Sequence, residues 1–177
     1  MIKNYWIGIS GMFLSSLLFG FMAFLVRIVS FDTTQFFIVF TRSLGGIVIF
    51  YILYVLKLIS VKPVNKKLLF LRGLFGAFAI ILWFHSIQAM NLSKAIFYFY
   101  SYPLYTTLLA RFFYRDKIFI RDIAGIVSLI FGLVLLSNFW RFHFQMEDIF
   151  GIMSGFFAGL AMLIVQKLRK TDTTWTI

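Results

Sequence analysis

Cysteine is absent from this 177-residue chain, which rules out disulfides, reactive thiols and thiolate ligands for a metal. Acid is scarce as well. The six acidic residues, Asp32, Asp116, Asp122, Glu147, Asp148 and Asp172, all fall in expected loops or at expected helix ends. Proton-coupled pumps place a carboxylate or histidine chain within the bundle, so no embedded carboxylate relay is available from these residues. With only two histidines the apolar segments hold no metal cluster, and they hold no aspartate pair. Catalysis is therefore not expected, and neither is a cofactor.

Apolar surface is what the chain has in excess. Hydrophobic residues make up 62% of it and the mean hydropathy is +0.95, more than a soluble domain of this length would bury in one core. A bilayer core of about 30 Å is crossed by about 20 apolar residues rising about 1.5 Å each. Six segments qualify: Trp6 to Leu25, Phe36 to Leu56, Phe70 to Met90, Ala95 to Phe113, Ile118 to Leu136 and Ile149 to Gln166. They predict an all-α polytopic membrane protein of about six transmembrane helices, embedded in the lipid bilayer. The first segment runs on to Arg27 with no small-residue cleavage pattern, so it is expected to stay as the first spanning helix.

The net charge of +11 takes its meaning from where the cations lie. With a cytoplasmic N-terminus, the inner side carries Lys3, Lys57, Lys62, Lys66, Lys67, Arg72, Arg111, Arg115, Lys117, Arg121, Lys167, Arg169 and Lys170, thirteen in all. The outer side carries three, Arg27, Lys94 and Arg141, and Arg42 falls inside the second segment. The positive-inside rule thus predicts both termini on the cytoplasmic side of the inner membrane. A nucleic-acid surface would set stacking aromatics beside its cations in one exposed groove, whereas these aromatics lie within the spans, so no nucleic-acid partner is expected.

Pro63 and Asn65 mark the longest inner connector, Lys57 to Leu69, as a solvated turn region. Asn91 to Lys94 leaves little slack, so the third and fourth helices are expected to be adjacent and antiparallel, with Gly73, Gly76 and Pro103 shaping their contact. Gly151, Gly155 and Gly159 form a double Gly-x-x-x-Gly string, and Gly125, Ser128 and Gly132 mark one face of the fifth helix. Both patterns read first as close helix packing. Gly8 to Phe13 echoes Gly151 to Phe157 with one inserted residue. A repeat unit of five helices is odd in number, so a second copy must be inverted.

Leu71-Arg72-Gly73-Leu74-Phe75-Gly76, Phe84 to Ala89, Ser101 to Tyr105, Arg115-Asp116-Lys117, Asp122 to Gly125 and Gly132 follow one another at spacings that resemble the drug/metabolite transporter superfamily, and within it the EamA-type permeases. The family often has Gly-Glu where Arg115-Asp116 stands. The resemblance covers Trp6 to Leu136 and implies a ten-helix fold of two inverted five-helix repeats, moving small organic metabolites by alternating access. It divides the chain into one repeat over 1–140 and the first helix of a second over 141–177. Four helices of that fold would then be missing, so a truncated, split or incompletely recorded transporter is expected, with a downstream polypeptide as a possible completing partner. A non-transporting membrane subunit or a nonfunctional gene remnant is the alternative. Small multidrug resistance relatives depend on a glutamate in the first helix, and here that helix has none.

Six residues are candidates for lining a substrate cavity: Arg42, Trp83, His85, Gln88, Tyr102 and Tyr105. Arg42 lies about eight residues, roughly 12 Å, inward from the outer end of its helix, where a charge costs about 2.5 to 3.5 kcal/mol. It would meet a substrate carboxylate or phosphate beside Gly45 and Gly46, or neighbouring carbonyls, or snorkel outward. His85 and Gln88 share one helical face and would bond a ligand or another helix. Trp83 would form an aromatic wall or face lipid. Tyr98, Ser101, Tyr102 and Tyr105 make one hydroxyl-rich face beside Pro103. Tyr98 suits an interfacial belt, whereas Tyr102 and Tyr105 lie deeper. In the family the third and fourth helices help line the central cavity, which implies a lining role for this face. Arg72 suits a positive-inside anchor. Gly8-Ile9-Ser10-Gly11 spells the rhomboid protease nucleophile sequence, but it sits in the first segment and the sixth has no histidine to serve as base.

Overall fold

The computed structural model describes residues 2–29, 33–61, 63–114, 120–137, 143–174 and 176–177. Asp32, Lys62, Arg115, Asp116, Lys117 and Arg141, the expected 140/141 unit boundary, and the side chains of Lys3 and Arg121 lie outside the described residues. Helices α1 (Ile2–Val29), α2 (Gln35–Val55), α3 (Lys66–Ala89), α4 (Leu92–Tyr100), α5 (Tyr102–Tyr114), α6 (Ile120–Ser137) and α7 (Asp148–Leu168) make up the described fold. The spans Gly8–Val29, Phe36–Val55, Lys66–Ala89 and Asp148–Leu168 are each long and apolar enough to cross a membrane, and Asp122–Leu135 is a shorter apolar helix.

The fourth expected segment is two helices rather than one. Pro103 has no N–H to give to the Phe99 carbonyl one turn back, which removes a helical hydrogen bond. The Leu104 N–H turns instead to the Ser101 carbonyl at 3.0 Å, and the Ser101 hydroxyl bonds the Tyr98 carbonyl at 2.6 Å. Ser101 thus divides α4 from α5.

Helix α3 is the hub, packing against α7 most extensively and also against α1, α2 and α4. Its sequence neighbour α4 is a lesser partner than α7, because the short turn at Asn91 joins the two at one end only. A core of Ala23, Val26, Trp83, Phe84, Ile87, Met90 and Ala95 joins α1, α3 and α4. The Trp83 ring stacks 5.2 Å from Phe19 and 4.5 Å from Phe99. By contrast α2 turns Phe36, Phe40, Ile47, Ile49 and Val55 outward, an apolar surface that suits hydrocarbon.

On α7 the string Gly151, Gly155, Gly159 faces the α4–α5 junction in ascending order, so these helices run parallel. A Cβ on Gly151 would stand 2.6 Å from the Tyr98 ring, one on Gly155 would strike the Tyr98 carbonyl, and one on Gly159 would lie 2.7 Å from the Tyr105 Cβ. Only glycine allows that approach. Gly73, Gly76, Gly125 and Gly132 have open space where a Cβ would go, so the expected contact of Gly73 and Gly76 with Pro103 does not form. Small residues permit close packing; a partner must still be there.

Both ends of α7 are fastened. At one end the Lys94 ammonium lies 2.7 Å from Asp148, with side chains 7% and 0% exposed, and donates to the His143 carbonyl at 2.8 Å. Asp148 also accepts the Gln145 N–H at 2.9 Å. Lys94 is therefore enclosed in the fold rather than solvated on its connector. At the other end Asp172 accepts the Val64 N–H at 2.7 Å and the Thr171 hydroxyl at 2.7 Å. These bonds, with the Asn65 N–H, hold its carboxyl below the usual carboxylate range. The Arg27 guanidinium donates to the Ile87, Gln88 and Met90 carbonyls and so satisfies the end of α3, where helical donors have run out.

Candidate functional site

Where α1, α3, α4, α5 and α7 converge, a cavity of about 320 Å³ remains, at the lower end of the range for small-molecule sites. Small residues create it: Gly76 and Ala79 on α3 face Ala158 and Ala161 on α7, and none carries enough side chain to fill the gap. Helix α1 contributes Ser15, Ser16 and Phe19, while Phe99, Tyr100 and Tyr102 flank the break at Ser101. That break lets Tyr100 and Tyr102, only two residues apart, reach the same space. The Ser16 hydroxyl donates to the Met12 carbonyl at 2.9 Å, which leaves its oxygen lone pairs for a guest. No charged side chain belongs to the described lining. Such a site binds through ring faces and hydroxyls.

Of the six candidates named from sequence, Tyr102 lines this cavity. Trp83 lies behind its aromatic wall, fully buried against Phe19 and Phe99, and its indole N–H has no hydrogen-bond acceptor among the described residues. Tyr105 packs edge-on to Phe156 at 5.9 Å on the α5–α7 seam. His85 meets Phe150 of α7 edge-on at 4.6 Å, and Gln88 donates to the Thr33 carbonyl at 2.9 Å. Arg42 is exposed, its guanidinium carbon 5.8 Å from the centre of the Phe84 ring. The structure does not gather these five around the cavity. Tyr98 is not a free belt residue either: its ring covers Gly151 and its phenol faces Asp148.

Ser15, Ser16, Ala158 and Ala161 were not singled out in the sequence. Their signals are local and weak: a serine pair amid an apolar helix, and alanines one turn apart. Only the meeting of α1 with α7 across α3 gives them a shared purpose.

Two further hollows have less to offer a solute. One of about 670 Å³ runs along α2, walled by Ser43, Gly46, Ile47, Phe50, Tyr51 and Tyr54 together with Val61, so a single helix supplies nearly all of it. Another, of about 300 Å³, contains Arg27 and Lys94, whose donors are already engaged as described above. Among the described residues no group of three or more His, Cys, Asp or Glu is placed to hold a metal ion.

The profile of the EamA-like transporter family matches residues 6–138, which takes in α1 to α6. Two strains of Helicobacter pylori each have a protein named an uncharacterized transporter that is 29% identical over 167 residues. That similarity covers 92% of this chain and 56% of each relative, so the chain spans about half the length of the curated relatives it matches. Solute carrier family 35 member G1 of Mus musculus is 33% identical over 75 residues, 42% of this chain and 20% of that protein. No solved structure shows a significant match. An all-helical fold with apolar spans and a family match across most of its length lead to one conclusion: this multi-pass membrane protein belongs to the EamA-like transporter family.

Proposed function

We propose that this chain forms part of a permease that moves small organic solutes across the cytoplasmic membrane by alternating access, with the cavity beside Tyr102 as its solute site. The observation that carries this reading is the uncharged, hydroxyl- and ring-lined space between α1, α3, α4, α5 and α7 in a family of transporters. Residues 1–140 act as one five-helix repeat, and α7 serves as the first helix of a second, inverted one. The further length of the bacterial relatives leaves room for the remaining helices of that second unit. Both termini face the cytoplasm, a reading supported by the thirteen-to-three division of cations.

The lining favours a solute whose bound portion is uncharged, with a flat apolar face for Phe19 and Phe99 and polar groups for Ser15, Ser16, Tyr100 and Tyr102. Arg42, exposed on α2, is not needed for this recognition. The site's chemistry is that of binding and passage, with no nucleophile–base pair in its described walls.

Because the chain has no cysteine, single replacements report without background. Ser15→Cys and Ala161→Cys are each treated with a membrane-impermeant maleimide in right-side-out and inverted vesicles. Alternating access predicts labelling from both sides, slowed by a transported solute found in a metabolite panel. Reactivity confined to one side under every condition would contradict it.

A further inference from the structure

Helices α5 and α7 lie close as long as α7 offers glycine, and the last of the string is Gly159 opposite Tyr105 and Thr106. Past that point α7 carries Leu163, Gln166 and Lys167 in place of glycine, and Lys170 follows just after its last turn. A polar cavity of about 380 Å³ opens there, lined by Tyr114 from the end of α5 and by Gln166, Lys167 and Lys170. The Lys167 ammonium stands 5.9 Å from the centre of the Tyr114 ring. Neither lysine has an ion-pair partner among the described residues. The nearest described acid along the chain, Asp172, is taken up by the Val64 N–H and the Thr171 hydroxyl. Immediately before Tyr114, Phe112 and Phe113 are 80% and 59% exposed.

We propose that this cavity binds the headgroup of an anionic phospholipid. Two ammonium groups offset a phosphodiester charge, and the Tyr114 phenol and the Gln166 amide supply neutral donors to headgroup oxygens. The exposed Phe112 and Phe113 give the acyl chains an apolar surface beside the same site. That neighbour favours a lipid over a free phosphate, which would gain nothing from it. The inference rests on the proposed membrane orientation only for which leaflet supplies the lipid; binding is measured without it.

The full chain, purified in detergent and stripped of lipid, is titrated with phosphatidylglycerol or phosphatidylcholine and read by native mass spectrometry. Phosphatidylglycerol is expected to be retained in preference. Retention falls about fivefold in Lys167→Gln and about thirtyfold in Lys167→Gln/Lys170→Gln, at the strength usual for a lysine near an anionic headgroup. The charge-matched pair Lys66→Gln/Lys67→Gln, at the start of α3, retains it unchanged. Thermal unfolding of each variant checks that the fold survives, and a lysine variant that has unfolded is replaced by Gln166→Leu, also expected to weaken retention. Equal retention by the folded double variant, or equal loss in the Lys66/Lys67 pair, would overturn the site. Displacement of the lipid by excess inorganic phosphate would assign the cavity to free anions instead. Failure of the cysteine-labelling test above would leave this result untouched.

Discussion

At the residue scale the most consequential pair is Lys94 with Asp148, two charges enclosed where α4 and α7 begin. Removing one partner leaves the other buried and unmatched, a loss of about 3 to 5 kcal/mol, whereas replacing both by apolar residues removes the desolvation cost as well. Lys94→Met alone should therefore lower the thermal unfolding temperature sharply, and Lys94→Met/Asp148→Leu should regain most of the loss. Asp172 answers to pH. Its folded carboxyl titrates below its ordinary value of 3.8, so its grip on Val64 is in place above that value and is lost as pH falls through the folded one. The Val64 amide resonance, followed by NMR in micelles, should shift with a midpoint below 3.8, and the shift should vanish in Asp172→Asn. Neither role was legible in the sequence. Asp148 and Asp172 both read as helix-end acids, and whether such a residue meets water or a partner depends on what the rest of the chain brings to it.

At the scale of elements the Gly-x-x-x-Gly string on α7 was legible as a packing face, because one-turn spacing is a local property. Its partner was not, since the seam with α4 and α5 joins segments far apart in the chain. The limit of the pattern shows on α6, where Gly125 and Gly132, two turns apart on one face, have nothing against them among the described residues. Gly155→Ala should thus force α7 away from the Tyr98 carbonyl and cost about 1 to 3 kcal/mol. Gly125→Ala should be neutral or stabilise α6 by up to about 1 kcal/mol through helix propensity. Denaturation of the two variants in the same detergent separates these outcomes. Pro103 gave warning of a freed carbonyl, but the complete division at Ser101 also depends on the serine hydroxyl taking the Tyr98 carbonyl.

At the scale of the whole molecule, the all-α membrane character was written plainly in composition, because hydropathy needs no tertiary information. The cation asymmetry is equally direct, and it yields a sharp test of orientation. Pro63→Cys should label only from the cytoplasmic side and Met146→Cys only from the outer side, at positions that are both exposed. The cavity was the least legible part, since five helices must meet before its small residues become a void rather than a gap in one surface. Assembly order carries a final consequence. Helix α3 finds its largest partner in α7, and α7 is the last of these helices to leave the ribosome. Until it emerges, the earlier helices must wait in the bilayer with their widest joint unmade, so the nascent chain is most exposed to quality-control proteases in that interval.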